Sequence, residues 1–455
     1  MNLHANWHLS VVIIGGGASG VLLAAHLLRD PAANVRVTII EKSNLLGHGM
    51  AYSTDNPDHI LNIAAKGMSA FPDDPEHFYR WLHAIDPAIT PESFPPRARY
   101  GHYLSQLLKD LEARADRQRL HLVNARCEGV EETARGVEVR LDDGSSIVGH
   151  VAVLALGHEE RQVRGNDLAV RAGSIGDTPL DPYARVMVLG SGLSMVDAWL
   201  TLAGRHHQGP IIVVSRHGLL PRAHQPVAPI EIDEADIPFG TDITGFVAWF
   251  RALVEKTVAE GGDWRSAVDG LRPFSQKIWQ SWSNATRKRF LRYVRPLWNI
   301  HRHRLPPALH ERLAAAVASS QITLIAGEVT ALEAGRDGEG VVAHIRRRGL
   351  SASEELDVAR VYDCGGVTVD IFKSSNPVIE KLVASGRARP DPLHIGLDVT
   401  PGCAVVGADG RPSRGLFAIG PLTRSQFFEI ESVPEIRVQA EMLANVLRNR
   451  VLSRP

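Results

Sequence analysis

The sequence predicts an α/β protein containing two strand–helix–strand units, and three observations predict it. An apolar run, LSVVII, leads into Gly15-Gly16-Gly17-Ala18-Ser19-Gly20. A second apolar run, residues 186–189, leads into Gly190-Ser191-Gly192-Leu193-Ser194-Met195. A third, residues 35–40, ends at Glu41, 21 residues beyond Gly20. A chain of 455 residues, 44 % of them hydrophobic, is long enough for two or three globular domains. Its formal net charge of −1 gives no global pull toward nucleic acid or a membrane surface, and neither is expected as a partner. Cys127, Cys364 and Cys403 lie far apart with no C-x-x-C, which argues against a disulfide framework or a local redox pair. The first apolar run lacks a basic flank and is broken by glycines. It reads as neither a leader nor a membrane span, and the cytoplasm is the expected location.

In chain order, residues 1–8 read as a loose tail. Residues 9–14 alternate too little for a half-exposed strand and suit one buried on both faces. Gly15, Gly17 and Gly20 fit G-x-G-x-x-G. The first glycine permits a tight turn, the second lets a pyrophosphate approach the backbone, and the third lets helix pack on strand. A helix follows over 21–28. Its N-terminus, with Ala18 and Ser19, offers N–H groups to phosphate. Glu41, with Lys42 beside it, closes the next strand where a ribose-binding carboxylate belongs. Together these features point to a dinucleotide site. Residues 42–54 carry the turn formers Gly47 and Gly49 and read as an ordered loop around a ligand. Asp74 begins a helix with Pro75 in its first turn, and 100–113 form an amphipathic helix. Strands are expected at 120–124 and 137–141, with Asp143-Gly144 as a hairpin turn. A buried strand over 151–156 ends at Gly157-His158.

The second glycine turn has a methionine in the third position, so its helix, over 196–202, must pack differently. The strand over 211–214 ends in Ser215-Arg216-His217. No acid stands there, and Arg216 suits a ribose 2′-phosphate, so NADPH is expected over NADH. Residues 225–310 break the α/β rhythm and read as helical. Five tryptophans in that stretch (Trp249, Trp264, Trp279, Trp282, Trp298) read as core. Seven basic residues and no acid lie between Arg287 and Arg304. They suit an anionic pocket, with Arg292 and Arg295 as candidate substrate contacts, or equally a helix face paired with acids elsewhere. His301-x-His303 has too few neighbouring ligands for a metal, and none is expected. Strands resume at 322–325, 341–345 and 358–362. A last strand over 416–419 ends at Gly420-Pro421, and a helix runs from about Pro434 through 447, offering a second N-terminal dipole end.

Gly15 to Gly20 with Glu41, Leu156-Gly157, Gly190 to Met195 and LFAIGP resemble the two-dinucleotide-binding-domain flavoproteins. More narrowly, GHGMAYST, HILNIAAKGMSAFPDDPEHFYRWL, SRHGLLPRAH, DCGG with SSNPVI, RPDPLHIGLDV and GPLTRSQFFEIESVPEIRVQA resemble the YdhS-like group of FAD/NAD(P)-binding proteins. The resemblance implies a Rossmann-type FAD domain interrupted by a Rossmann-type NAD(P) domain with a helical insertion. The expected boundaries are 1–182 and 321–455 for the FAD domain, and 183–320 for the NAD(P) domain with its insertion at about 225–310. It implies that Gly15, Gly17, Ala18, Ser19 and Gly20 hold the FAD pyrophosphate, that Glu41 and Lys42 meet the adenosine ribose, and that the Cys127 backbone meets the adenine. Gly49, Met50, Ala51, Tyr52, Asn62 and Met68 would lie along the ribityl chain or flavin, with Gly157, Gly420 and Pro421 near the pyrophosphate–ribityl region. The turn Val433, Pro434 and Ile436 would point N–H groups at the flavin pyrimidine. Gly190, Gly192, Ser194 and Arg216 would hold NADPH. Two departures stand out. Many such flavoproteins carry Gly-Asp where this chain has Gly420-Pro421, and hydroxylating relatives often show another residue at His158.

The implied function is an FAD-dependent, NAD(P)H-using oxidoreductase, with a flavin monooxygenase acting on a small molecule favoured. The alternatives are a reductase or dehydrogenase with a non-oxygen acceptor, and a low-turnover FAD-binding scaffold. No fixed general base stands out, and no residue pattern addresses the substrate or oligomeric state.

Overall fold

The structure is a computed structural model that describes residues 8–114, 119–160, 167–335 and 338–452. All of the expected N-terminal tail except His8 lies outside the described residues. The chain forms two compact units, Met1–Glu159 with Thr368–Pro455, and Glu160–Val367.

The first unit opens with β1 (Leu9–Ile14), α1 (Ala18–Leu28) and β2 (Val35–Glu41). Helices α2 (His77–Ile85) and α3 (Arg97–Arg114) follow, then β3 (Leu120–Asn124), β4 (Cys127–Thr133), β5 (Gly136–Leu141), β6 (Ser146–Gly149) and β7 (Val151–Leu154). The second unit contains β8 (Ala169–Arg171), β9 (Val186–Leu189), α4 (Leu193–Gly204) and β10 (Ile211–Ser215). Its helical insertion comprises α5 (Ile243–Ala259), α6 (Trp264–Leu271), α7 (Ser275–Ser281), α8 (Asn284–Arg289), α9 (Arg295–Arg302) and α10 (Pro307–Ala318). Strands β11 (Ile322–Ala334), β12 (Val341–Arg347), β13 (Ser353–Val358) and β14 (Arg360–Asp363) complete it. The chain returns to the first unit through α11 (Pro377–Ala384), β15 (Ala404–Val406), β16 (Pro412–Ala418) and α12 (Val433–Leu452).

The first unit's main sheet has the order β15-β16-β7-β1-β2-β3. From β16 to β3 its pairings are parallel, with Val11 opposite both Val37 and Val151. Every residue of β1 is buried, as its unbroken apolar run requires of a central parallel strand. Helix α1 packs against both α3 and α12, so ten of its eleven residues are buried. The second unit's sheet has the order β13-β12-β11-β10-β9-β14-β8, parallel from β11 to β8. In both sheets the first strand of the glycine turn has its βαβ partner on one side and a later strand on the other. This topological switch point opens a crevice at the carboxyl ends of the strands.

The structure corrects several expectations. The first crossing lies at 159/160, because β8 pairs with β14 rather than with the first sheet. The return lies at 367/368 rather than 320/321. The first half of β11 pairs parallel with β10, its second half folds back antiparallel on β12, and β14 then enters beside β9. The single strand expected over 358–362 is two strands, parted at Ala359, whose N–H donates to the Arg185 carbonyl (2.8 Å). Helix α2 starts after Pro75, because the Asp74 carbonyl accepts the Ser69 hydroxyl (2.6 Å) and the chain turns there first. Strand β4 escaped the sequence reading because its acid-rich CEGVEET and a bulge after Cys127 mask the two-residue period.

Within the insertion Trp279 and Trp282 are core residues, 1 % and 5 % exposed, packed on Phe290 and Phe246. The basic run is divided. Arg304 pairs with Asp269. Arg287 donates to the carbonyls of Trp279 and Gln280. Arg292 is exposed beside the Tyr293 ring, and Arg295 opens α9 after a π-helical stretch, Phe290–Val294. Among the described residues no helix is long and apolar enough to cross a membrane, and no group of His, Cys, Asp and Glu side chains is placed to hold a metal. The His301 Nδ1–H donates to the Leu297 carbonyl (2.8 Å), and the ring meets Trp264 edge-on.

Candidate dinucleotide sites

In the first unit the turn after β1 is closed by backbone geometry. Gly15 has φ +110°, and a Cβ there would overlap the Ala155 carbonyl at the end of β7. A Cβ at Gly20 would overlap the Gly15 carbonyl, so α1 lies directly on the turn. Gly17 is the N-cap of α1 and supplies no side-chain cap. A Cβ there would come no nearer than 3.6 Å to the Gly49 Cα. The helix therefore presents uncapped N–H groups at a glycine-lined opening, which suits a diphosphate.

Glu41 ends β2 and sits against that turn. Its Oε2 accepts the Gly16 N–H (2.7 Å) and its Oε1 accepts the Ser43 N–H (2.9 Å). Each oxygen keeps acceptor capacity for a hydroxyl. A cavity of about 350 Å³ adjoins it, bounded by Gly15, Glu41, Arg126, Cys127, Leu156 and Asn376, with Lys42 on its rim. Lys42 and Arg126 also bound a neighbouring cavity of about 350 Å³ and have no ion-pair partner among the described residues. Burial pushes the Cys127 thiol up to about 11, so its side chain is an inert wall.

The other carboxyl-end turns converge here. Gly157 follows β7 with φ +67° and open space at its Cβ position. Gly420 follows β16 with φ +73°, where a Cβ would overlap the Ser19 side chain. Its N–H donates to Gln439 Oε1 (2.8 Å), and Pro421 is buried in the 3₁₀ turn Gly420–Thr423. Gly49–Tyr52 is a single helical turn with Gly49 (φ +51°) against Gly17, Met50 and Ala51 exposed, and the Tyr52 ring 4.8 Å from that of Tyr100. Asn62 is half-buried, and Met68, 2 % exposed, is a core residue. At the start of α12, Pro434 has no N–H, and the N–H groups of Glu435 and Ile436 both donate to the Ser432 carbonyl. Of the N–H groups expected from 433–436, those of Glu435 and Ile436 are therefore used inside the first turn of the helix.

The second unit repeats the motif. Gly190 has φ +103°, with the Cys364 carbonyl 2.8 Å from its Cβ position. Gly192 is an uncapped N-cap with nothing within 4 Å of its Cβ position. Met195, at the position that Gly20 holds in the first unit, is fully buried. Ser194 is exposed in the first turn of α4, and its carbonyl accepts the Cys364 thiol (3.4 Å). Arg216 is exposed just past β10. The register pairs Ser215 with Ala326, whose carbonyl accepts the Arg348 N–H (2.8 Å). Arg348 thus leaves the chain at the same corner as Arg216. Burial first, then Arg348 and Arg216, hold His217 below the usual imidazole range. Neither arginine has an ion-pair partner among the described residues.

Sequence reasoning missed Arg126, Ser375 and Asn376 in the first site and Arg348 in the second. The N-cap pattern Asn376-Pro377 was the available signal for α11, whose Asn376 Oδ1 accepts the Val378 N–H (3.0 Å). Arg348 carries no local signal, since strand pairing alone brings it to β10.

Residues 12–159 match a family model described as FAD-NAD(P)-binding. No curated protein sequence matches the chain. Solved structures resemble it in fold. The ornithine N-hydroxylase of Kutzneria sp. 744, in a structure with reduced FAD, NADP+ and L-ornithine, gives a TM-score of 0.64 at 14 % identity over 97 % of this chain and 99 % of that one. L-Lysine 6-monooxygenase from Pseudomonas syringae gives 0.66 at 15 % identity over 98 % of this chain and 100 % of that one. Lactococcus lactis thioredoxin reductase gives 0.55 at 12 % identity over 98 % of this chain and 100 % of that one. The fold is the α/β, parallel-sheet fold of FAD/NAD(P)-binding flavoproteins.

Proposed function

We propose that this chain is an FAD-dependent, NADPH-using flavin monooxygenase of a small molecule, most like the YdhS-like FAD/NAD(P)-binding group. The observation that carries the reading is the pair of uncapped, glycine-lined helix N-termini, one at the switch point of each sheet. One has a carboxylate at the end of its second strand and the other an arginine. The residues fit the two cofactors. The amides from Gly17 to Gly20 and the dipole of α1 would offset the FAD diphosphate. Glu41, already held by two backbone N–H groups, would accept from the ribose hydroxyls. The cavity between Cys127 and Asn376 would take the adenine. Gly190 and Gly192 would receive the NADPH diphosphate, and Arg216 and Arg348 its 2′-phosphate. When bound, the flavin supplies hydride acceptance and the activation of oxygen.

Two known activities of this fold support oxygenation of an amine-bearing substrate: the ornithine N-hydroxylase and the L-lysine 6-monooxygenase. A disulfide-reductase reading is disfavoured. All three cysteines are free thiols, and burial pushes Cys127 and Cys403 up to about 11 and about 12 and raises Cys364 further. Unpaired cysteines also suit the cytoplasm. The test is NADPH oxidation by the FAD-loaded protein with ornithine, lysine and other amino acids added singly. Oxygen uptake that rises with one substrate, without matching peroxide release, supports the reading. Uptake recovered wholly as peroxide with every candidate counts against it.

A further inference from the structure

His158 stands one residue beyond Gly157, at the carboxyl end of β7, between the turns after β1 and β16. Its Nδ1 lies 2.8 Å from Arg424 Nη2. A guanidinium has only donors, so Nδ1 must accept and carries no proton. In the neutral ring the proton then sits on Nε2. Arg424 is 9 % exposed and is itself anchored: its Nε donates to Glu431, and its Nη1 reaches the Ile395 carbonyl (3.5 Å). The guanidinium's charge is therefore met by Glu431, while its other arm is spent on fixing the imidazole. Burial holds His158 below the usual imidazole range, with Glu431 pulling upward and Arg424 pushing down. Glu431 is presented by a tight turn in which Glu429, a non-glycine residue, has φ +61° and accepts the Glu431 N–H (2.6 Å). Strain of this kind persists where the surrounding structure enforces it. His158 Nε2 has no hydrogen-bond partner among the described residues.

We propose that His158 is a neutral hydrogen-bond donor to the first unit's dinucleotide through Nε2–H, and that Arg424 is the positioning residue that fixes this tautomer. The ligand chemistry it recognises is a lone pair on an oxygen or nitrogen of FAD. His158 is thus neither a general base nor a cation at neutral pH. The inference rests on the FAD reading for the identity of the acceptor, whereas the tautomer follows from Arg424 alone.

The experiment has two readouts. The first is the ¹⁵N spectrum of histidine-labelled, FAD-loaded protein, with His158 assigned by its loss in His158→Gln. The expected pattern is an unprotonated Nδ1 and a protonated Nε2, and a ring with Nδ1 protonated overturns the proposal. In Arg424→Met the preference for that tautomer should fall. The second is FAD affinity, measured by fluorescence titration of stripped protein. His158→Phe should weaken FAD about tenfold, the cost of one lost hydrogen bond, and His158→Gln, which keeps an N–H donor, should recover most of it. Affinity in His158→Phe equal to that of the unaltered protein overturns the proposal and leaves the FAD reading intact. An unaltered protein that binds no FAD overturns both.

Discussion

A methyl group added at Gly20 would overlap the carbonyl oxygen of Gly15, a clash with backbone that no rotamer relieves. Gly20→Ala must lift α1 off the turn. It should cost about 1–3 kcal/mol and release FAD from protein that still folds. Urea unfolding together with FAD content on purification checks this, and full FAD content at unchanged stability would contradict it. His26 is a second residue with a readable consequence. It is 3 % exposed, its Nε2 lies 3.2 Å from the Ala70 carbonyl, and burial lowers it from 6.5 to about 4. A lowered value means the folded state resists protonation. The stabilisation is complete above pH 6.5 and is lost progressively as pH falls toward 4. Between pH 7 and 4 the protein should lose about 3 kcal/mol more stability than His26→Gln, which keeps a donor for Ala70. Parallel pH profiles for the two would contradict the assignment. At this scale the sequence was informative where chemistry is local. Gly15, Gly20 and Glu41 announced themselves by spacing, whereas the use of the Ile436 N–H inside α12 depends on where the helix begins.

Among the elements, the two strand–turn–helix units were legible because one continuous stretch of chain builds each. The unit boundaries were not, because β11 spends its first half in the parallel sheet and its second in an antiparallel hairpin, and no composition shift marks the change. The same pairing carries Arg348 to the end of β10, 132 residues after Arg216 in the chain. If the two arginines share a 2′-phosphate, Arg348→Glu and Arg216→Glu should each raise the KM for NADPH at least about tenfold and leave that for NADH nearly unchanged. Steady-state kinetics with both nucleotides checks this. An equal rise for NADH would assign these residues to general folding of the corner instead. FAD content should be unaffected in either variant, since neither residue belongs to the first unit.

For the whole molecule, two glycine-turn units joined by interruption and return were the expectation; the chain forms two compact units, with the crossing at 159/160 and the return at 367/368. The basic run from Arg287 to Arg304 shows the opposite case. Arg304 and Arg287 have partners inside the insertion, and only part of the run remains exposed, so charge count along the chain did not translate into one surface. In the proposed function electrons pass from NADPH to FAD and then to oxygen. The most direct measurement is rapid-mixing absorbance of the FAD-loaded protein, reduced by NADPH without oxygen and then mixed with aerated buffer. NADPH should bleach the flavin faster than NADH, and reoxidation should pass through a transient species whose spectrum matches neither reduced nor oxidised flavin. A flavin that NADPH does not bleach, or that stays reduced in air, would contradict it.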